Sequence, residues 1–289
     1  MKALIGLYFI VFPIFFPVTA NAKEILTIPS DSGYKILSIS PEELLEGITA
    51  FSLGSVGYLT ALKDYGLILG NVAKKNGANG VIIGIAKTIR SLEDNDFLLF
   101  SNSPWLTAEA LTAIAEGVVI AGVFPFLNLE QGYELDILKG LVSRNSYPCL
   151  LSLSTSVDRD VSLSELLNKN QWRPLYMDTR NDSEKAVYHE FTWDYPLSAE
   201  RIEEIRRTLL VSSIVLIKKP TFTTEIQIID NPNTTVQTRI SYIIVRDPLL
   251  IPQKNVQGAV LIPSDEPFLI EEAKAILNGL KTAKGKKNW

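Results

Sequence analysis

The chain has 289 residues, 46% hydrophobic and 21% charged, enough apolar material for a packed core and too much for a disordered polypeptide. Its 28 Lys and Arg against 32 Asp and Glu leave a net charge of −4, which excludes a general nucleic-acid binder, because neutralising phosphates takes a basic surface. A single cysteine excludes an intrachain disulfide, a composition that fits an exported bacterial protein better than an animal extracellular one.

Residues 1–22 read as an export leader. Lys2 supplies the charged start, Ala3 to Val18 the apolar run, and Ala20-Asn21-Ala22 the small-residue cleavage site. The run falls short of the ~20 apolar residues that span a bilayer, and Pro13 and Pro17 weaken a spanning helix. The expected product is a periplasmic or secreted protein cleaved after Ala22.

Residues 23–103 predict a small α+β domain. Ile25–Ile28 and Tyr34–Ile39 read as strands around the turn-forming Pro29-Ser30-Asp31-Ser32-Gly33. Ser40-Pro41-Glu42-Glu43 opens a helix expected to run to about Ser52, with Ser40 as cap and Glu43 closing a capping box. A second helix, about Thr60 to Asn76, stops at Gly77, and Val81–Ile89 follows as a buried strand.

The residues Leu53-Gly54-Ser55-Val56-Gly57, then Ala73, then Gly77-Ala78-Asn79-Gly80-Val81-Ile82 resemble small bacterial α+β proteins of the YbjQ-like kind. They are also similar to the domain of the Rcs-pathway outer-membrane stress-sensor lipoprotein. The match spans about 33–89, and it implies a shared fold and not a shared sensing chemistry. The chain lacks both the lipid-bearing cysteine and the disulfide cysteines of that sensor.

Residues 104–280 predict a larger mixed α+β domain. Thr107–Ala121 reads as a helix, and the wider apolar stretch 110–129 reads either as a membrane-inserting segment or as a buried helix followed by a short strand. Pro148–Ser156 is a strand, Ser162-Leu163-Ser164-Glu165 a capping box, and Ser198 the cap of a helix over Ala199–Thr208. Leu209–Ile217 reads as a central strand. Thr221–Ile229 and Thr234–Val245 read as a β-hairpin around Asp230-Asn231-Pro232-Asn233, and Pro267–Leu280 as the last helix. The lysines of 281–289 read as a basic flexible tail.

The candidate chemistry is thin. Cys149 and His189 are each alone of their kind and could form a thiol–imidazole pair, although Tyr147-Pro148-Cys149-Leu150-Leu151 places the sulfur in an apolar strand. Trp172, Arg173, Tyr176, Tyr188 and Trp193 form an aromatic and cationic group suited to anchoring a partner. No spacing of His, Cys, Asp and Glu suits a metal, and no glycine-rich loop suits a cofactor. The leading expectation is a non-catalytic envelope or secreted protein that binds a protein or envelope component, touching a membrane without spanning it. The alternatives are a secreted hydrolase using His189 with Cys149 or a serine, and a membrane-inserting factor acting through 110–129.

Overall fold

In the computed structural model, residues 24–29, 34–89, 99–129, 132–151, 160–172, 187–190, 197–220, 225–231, 240–246, 250 and 256–287 are described, with backbone only for 24–29 and 187–190. β1 (Glu24–Pro29) and β2 (Lys35–Ser38) pair antiparallel, Leu26 opposite Ser38 and Pro29 opposite Lys35. The single helix expected after Ser40 is instead two. Ser40 and Glu43 do form a capping box for α1 (Pro41–Leu44), but the helix stops at extended Leu45, the chain turns through left-handed Gly47, and Thr49 with Ser52 caps α2 (Ala50–Ser55) afresh.

α3 (Leu59–Lys75) ends as the sequence predicts. Gly77 is left-handed (φ 73°), its N–H donates to the Lys74 carbonyl at 3.0 Å, and the Ala78 N–H reaches Ala73 at 2.9 Å. These two bonds satisfy carbonyls that a helix end would otherwise leave without partners. β3 (Gly80–Ile85) follows at once.

α4 (Pro104–Ile120) packs on α3 with backbones nearly touching. A Cβ on Gly66 would lie 2.1 Å from the Ile114 carbonyl oxygen, and one on Gly117 would lie 2.0 Å from that of Lys63. Ala108, Leu111, Ile114 and Val118 of this helix are buried, while Glu116 is exposed and pairs with Lys63 at 3.2 Å. The membrane-inserting reading of 110–129 is thereby corrected. The segment is a core helix followed by β4 (Phe124–Asn128), and no helix among the described residues is long and apolar enough to cross a membrane. α5 (Leu135–Ser143), β5 (Cys149–Leu151), α6 (Val161–Lys169) and β6 (Val187–Glu190) complete the first half. The α6 cap is Asp160 and not Ser162: its carboxylate accepts from the N–H groups of Ser162 and Leu163.

The first sheet has the order β5-β4-β3-β2-β1-β6, with β2 to β5 parallel and β1 antiparallel to both neighbours. The boundary expected between 103 and 104 falls inside it, since β3 from one side hydrogen-bonds β4 from the other.

α7 (Ala199–Ser212), capped by Ser198, takes over the first residues of the strand expected at Leu209–Ile217. β7 (Val215–Lys218) is left as an edge strand of a second sheet, order β7-β10-β9-β8, completed by β8 (Ile226–Ile229), β9 (Ser241–Val245) and β10 (Gly258–Ile262). The expected hairpin is absent because β8 and β9 run parallel, Ile226 beside Ser241 and Ile229 beside Ile244. Every residue of β9 is buried. Ile243 and Val245 belong to the main core, whereas Tyr242 and Ile244 belong to a second one on the other face. A strand covered on both faces is the parallel, central kind, not the amphipathic kind of an exposed hairpin. α8 (Pro267–Leu277) packs on β10.

The fold is α+β. One core cluster runs from Leu37 of β2 through α3, α4 and α7 to Val260 and Ile262 of β10 and Leu269 of α8. The tail is not free. The Gly285 N–H donates to the Ile214 carbonyl at 3.0 Å, the Lys286 N–H to that of Ser55 at 2.7 Å, and the Lys286 ammonium pairs with Glu109. Gly57 and Gly285 let this strap lie close, since a Cβ on Gly57 would meet the Lys284 carbonyl oxygen and one on Gly285 would lie 2.5 Å from that of Ile214.

Candidate functional site

In open sheets of parallel strands, ligands bind beyond the carboxyl ends of the strands. β9 and β10 are parallel and end side by side at Val245 and Ile262. Beyond those ends lies a cleft of about 240 Å3. Its floor is Phe51, Leu261, Ile262 and Pro263; Glu42, Gly47, Thr49, Ser52, Ser55, Ser213 and Arg246 supply the remaining lining.

Each polar group reaches the cleft for a local reason. The Ser40 box starts α1 so that Glu42 stands exposed in its first turn. The Thr49 box sets α2, where the Ser52 hydroxyl accepts from the Thr49 N–H at 2.9 Å and donates to the Thr49 carbonyl at 2.8 Å. Ser55 donates to Phe51 at 3.2 Å and Ser213 to Leu210 at 2.9 Å, both through their hydroxyls to backbone carbonyls. Three serine protons are thus committed to the helices, leaving oxygens that can accept. No histidine lines the cleft among the described residues.

The loop over the cleft is held from behind. The Arg206 Nε donates to the Glu46 carbonyl at 2.8 Å, and its guanidinium pairs with Glu203 at 3.1 Å and with Glu266, which also accepts from Ser264 at 3.2 Å. Arg246 stands at the end of β9 with its N–H on the Ile262 carbonyl at 2.9 Å. Its guanidinium is 3.6 Å from Asp265, both side chains exposed.

The residues singled out in the sequence do not assemble. Cys149 is on β5, His189 on β6, and these are the opposite edges of the six-stranded sheet. Five strand spacings of ~4.8 Å separate them by roughly 24 Å, far beyond proton-transfer range, so the thiol hydrolase is excluded. Burial also pushes the Cys149 thiol above its ordinary range, favouring the unreactive form. Trp172 is a core residue, 6% exposed, with its indole N–H donating to the Pro148 carbonyl at 3.1 Å and its ring edge-on to Tyr147. It is not a partner anchor. Arg173, Tyr176 and Trp193 lie outside the described residues, as does the leader, and Tyr188 is placed only by its backbone, opposite Leu26. Among the described residues no three His, Cys, Asp or Glu side chains gather as metal ligands would.

A second cleft of about 310 Å3 lies at the amino ends of β4 and β5, lined by Lys63, Glu116, Arg144 and Tyr147 among others. Glu116 is already paired with Lys63, and the Arg144 guanidinium lies over the Trp105 ring at 3.6 Å.

No family model and no curated protein matches the chain. Among solved structures it is similar to β-glucosidase 3B from Thermotoga neapolitana, at 12% identity and TM-score 0.45 over 69% of this chain and 43% of that one. It is also similar to a glycoside hydrolase family 3 β-glucosidase from Bifidobacterium adolescentis, at 13% identity and TM-score 0.42 over 68% and 43%. A third is the family 3 β-N-acetylglucosaminidase from Paenibacillus sp., at 9% identity and TM-score 0.45 over 88% and 86%. The chain spans less than half the length of the first two. The expectation of a non-catalytic partner-binding protein is corrected at its anchor: Trp172, the first aromatic named for it, is inside the core.

Proposed function

We propose that the chain is a hydrolase acting on a small polyhydroxylated substrate, a sugar or one unit of a glycan, held in the cleft beyond β9 and β10. The observation that carries this reading is the lining itself. One carboxylate, one guanidinium and four hydroxyl side chains surround an apolar floor. A sugar presents the complementary surface, hydroxyls around its edge and C–H groups on its faces, and each hydroxyl both donates and accepts. The size supports one small unit, since the cleft is below the ~300–1,000 Å3 of pockets that take drug-sized ligands.

Glu42 is the carboxylate of the lining and the group assigned to acid–base work on the attacking water or the leaving oxygen. Asp265, ion-paired with Arg246, is the second carboxylate at this end of β10. We place the protein in the periplasm or outside the cell, on the leader read at 1–22. The test is a panel of 4-nitrophenyl glycosides incubated with purified protein. Turnover is expected with at least one member, and Glu42→Gln should lower it by about 100-fold or more at unchanged Tm. Silence across the panel, together with no thermal shift in free sugars, rejects the reading.

A further inference from the structure

Three residues other than glycine hold a left-handed backbone among the described residues: Asn145, Gln171 and Arg246. The first two have an ordinary reason. Asn145 directly follows Arg144, the C-cap of α5, and Gln171 follows Asn170, the C-cap of α6, where helices commonly end in that conformation. Arg246 follows a strand, at φ 63°. Its N–H bond to Ile262 continues the β9–β10 ladder and fixes the backbone there, and a glycine would adopt the same shape without the Cβ clash. The side chain retained at this cost lines the cleft.

The guanidinium is also underused. Its charged neighbour, Asp265, is 3.6 Å away and is as exposed as Arg246 itself, a loose pair of the kind that holds little energy. Elsewhere in this region Arg206 shows what a structural arginine looks like, buried to 13% side-chain exposure and bound to a carbonyl and two carboxylates. Strain kept at a binding cleft, on a residue whose donor fork has no comparable partner, points to a ligand. A planar fork of N–H donors matches a carboxylate with two parallel hydrogen bonds, which a neutral hydroxyl cannot offer.

We infer that Arg246 is the specificity-determining residue of this cleft and that it selects an acidic sugar, one carrying a carboxylate, over its neutral counterpart. This rests on the sugar reading of the cleft. The experiment is calorimetric titration of the full chain with two probes of equal shape, D-glucuronate and D-glucose, repeated on Arg246→Gly and Arg246→Lys, with Tm for each. Wild type should bind glucuronate at least tenfold more tightly. Arg246→Gly should lose that preference while its Tm holds or rises, and Arg246→Lys should keep only part of it. Equal affinity of wild type for both probes overturns the role of Arg246 and leaves the cleft reading standing. Binding of neither probe overturns both. A preference that survives in Arg246→Gly, or a lowered Tm with the preference intact, makes Arg246 structural and ends the inference.

Discussion

Cys149 and His189 stand on the two edge strands of one sheet, with four strands between them. Their pairing as nucleophile and base is therefore impossible in the folded chain. Cys149→Ser should leave any hydrolytic activity in place and lower stability by about 1 kcal/mol, the cost of a hydroxyl in a half-buried apolar site. Thermal unfolding and a glycoside assay on the same preparation check both halves. Loss of activity at unchanged Tm would restore the thiol to the chemistry.

Gly77 offers a clean measure of backbone strain. Apart from its chain neighbours, no residue comes within 4 Å of the position a Cβ would take, so Gly77→Ala adds no tertiary clash and changes only the cost of the left-handed conformation. The expected loss is about 1 kcal/mol, and Gly77→Val should cost more because its branched side chain tolerates the conformation less. Denaturant unfolding reads both. A neutral Gly77→Val would mean that the α3 end can rearrange freely.

These two positions mark the limits of what the sequence discloses. The end of α3 and the start of α7 were legible because Gly77 and Ser198 act on neighbours within a few residues, whereas α4, expected to open at Thr107, opens at Pro104 behind a Ser103 cap. β10 was missed although Gly258-Ala259-Val260-Leu261-Ile262 is a continuous apolar run, a pattern that suits a doubly covered strand. The direction of β9 was not legible, since alternating residues look the same whether the partner strand runs up or down. The cleft was missed for a stronger reason. Thr49, Ser52, Ser213 and Arg246 come together from α2, the end of α7 and the end of β9, and the one local motif among them, the Thr49–Ser52 box, signals a helix start and not a cleft.

Asp160 ties the start of α6 to pH. Its carboxyl is held below the usual range, first by the hydrogen bond from the Tyr133 hydroxyl and then by the Leu163 and Ser162 N–H groups. A depressed folded-state pKa contributes stability that is present above the ordinary Asp value of about 3.9 and is lost as pH falls through the lowered one. Tyr133→Phe should move that acid loss toward higher pH. Asp160→Asn should remove the pH dependence while keeping a cap, and Asp160→Ala should cost about 1 kcal/mol at neutral pH. Tm followed from about pH 2 to 6 decides it, and identical acid profiles for wild type and Asp160→Asn would remove Asp160 from the account.

Gly57 and Lys284 set a steric test of the C-terminal strap. A Cβ on Gly57 would lie 1.7 Å from the Lys284 carbonyl oxygen, a contact that no side chain can relieve because both partners are backbone. Gly57→Ala must therefore lift the strap, breaking the Gly285–Ile214 and Lys286–Ser55 hydrogen bonds and the Lys286–Glu109 pair. At roughly 1 kcal/mol for each backbone bond, the loss should be about 2–3 kcal/mol. Truncation after Lys281 should cost a similar amount, and adding Gly57→Ala to the truncated chain should cost almost nothing further, since both changes remove one shared interaction. Ser55 also lines the cleft, so release of the strap should weaken sugar binding in both variants. Unfolding curves for the two single variants and the double one provide the check. Additive losses would mean that Gly57 is needed for something other than seating Lys284.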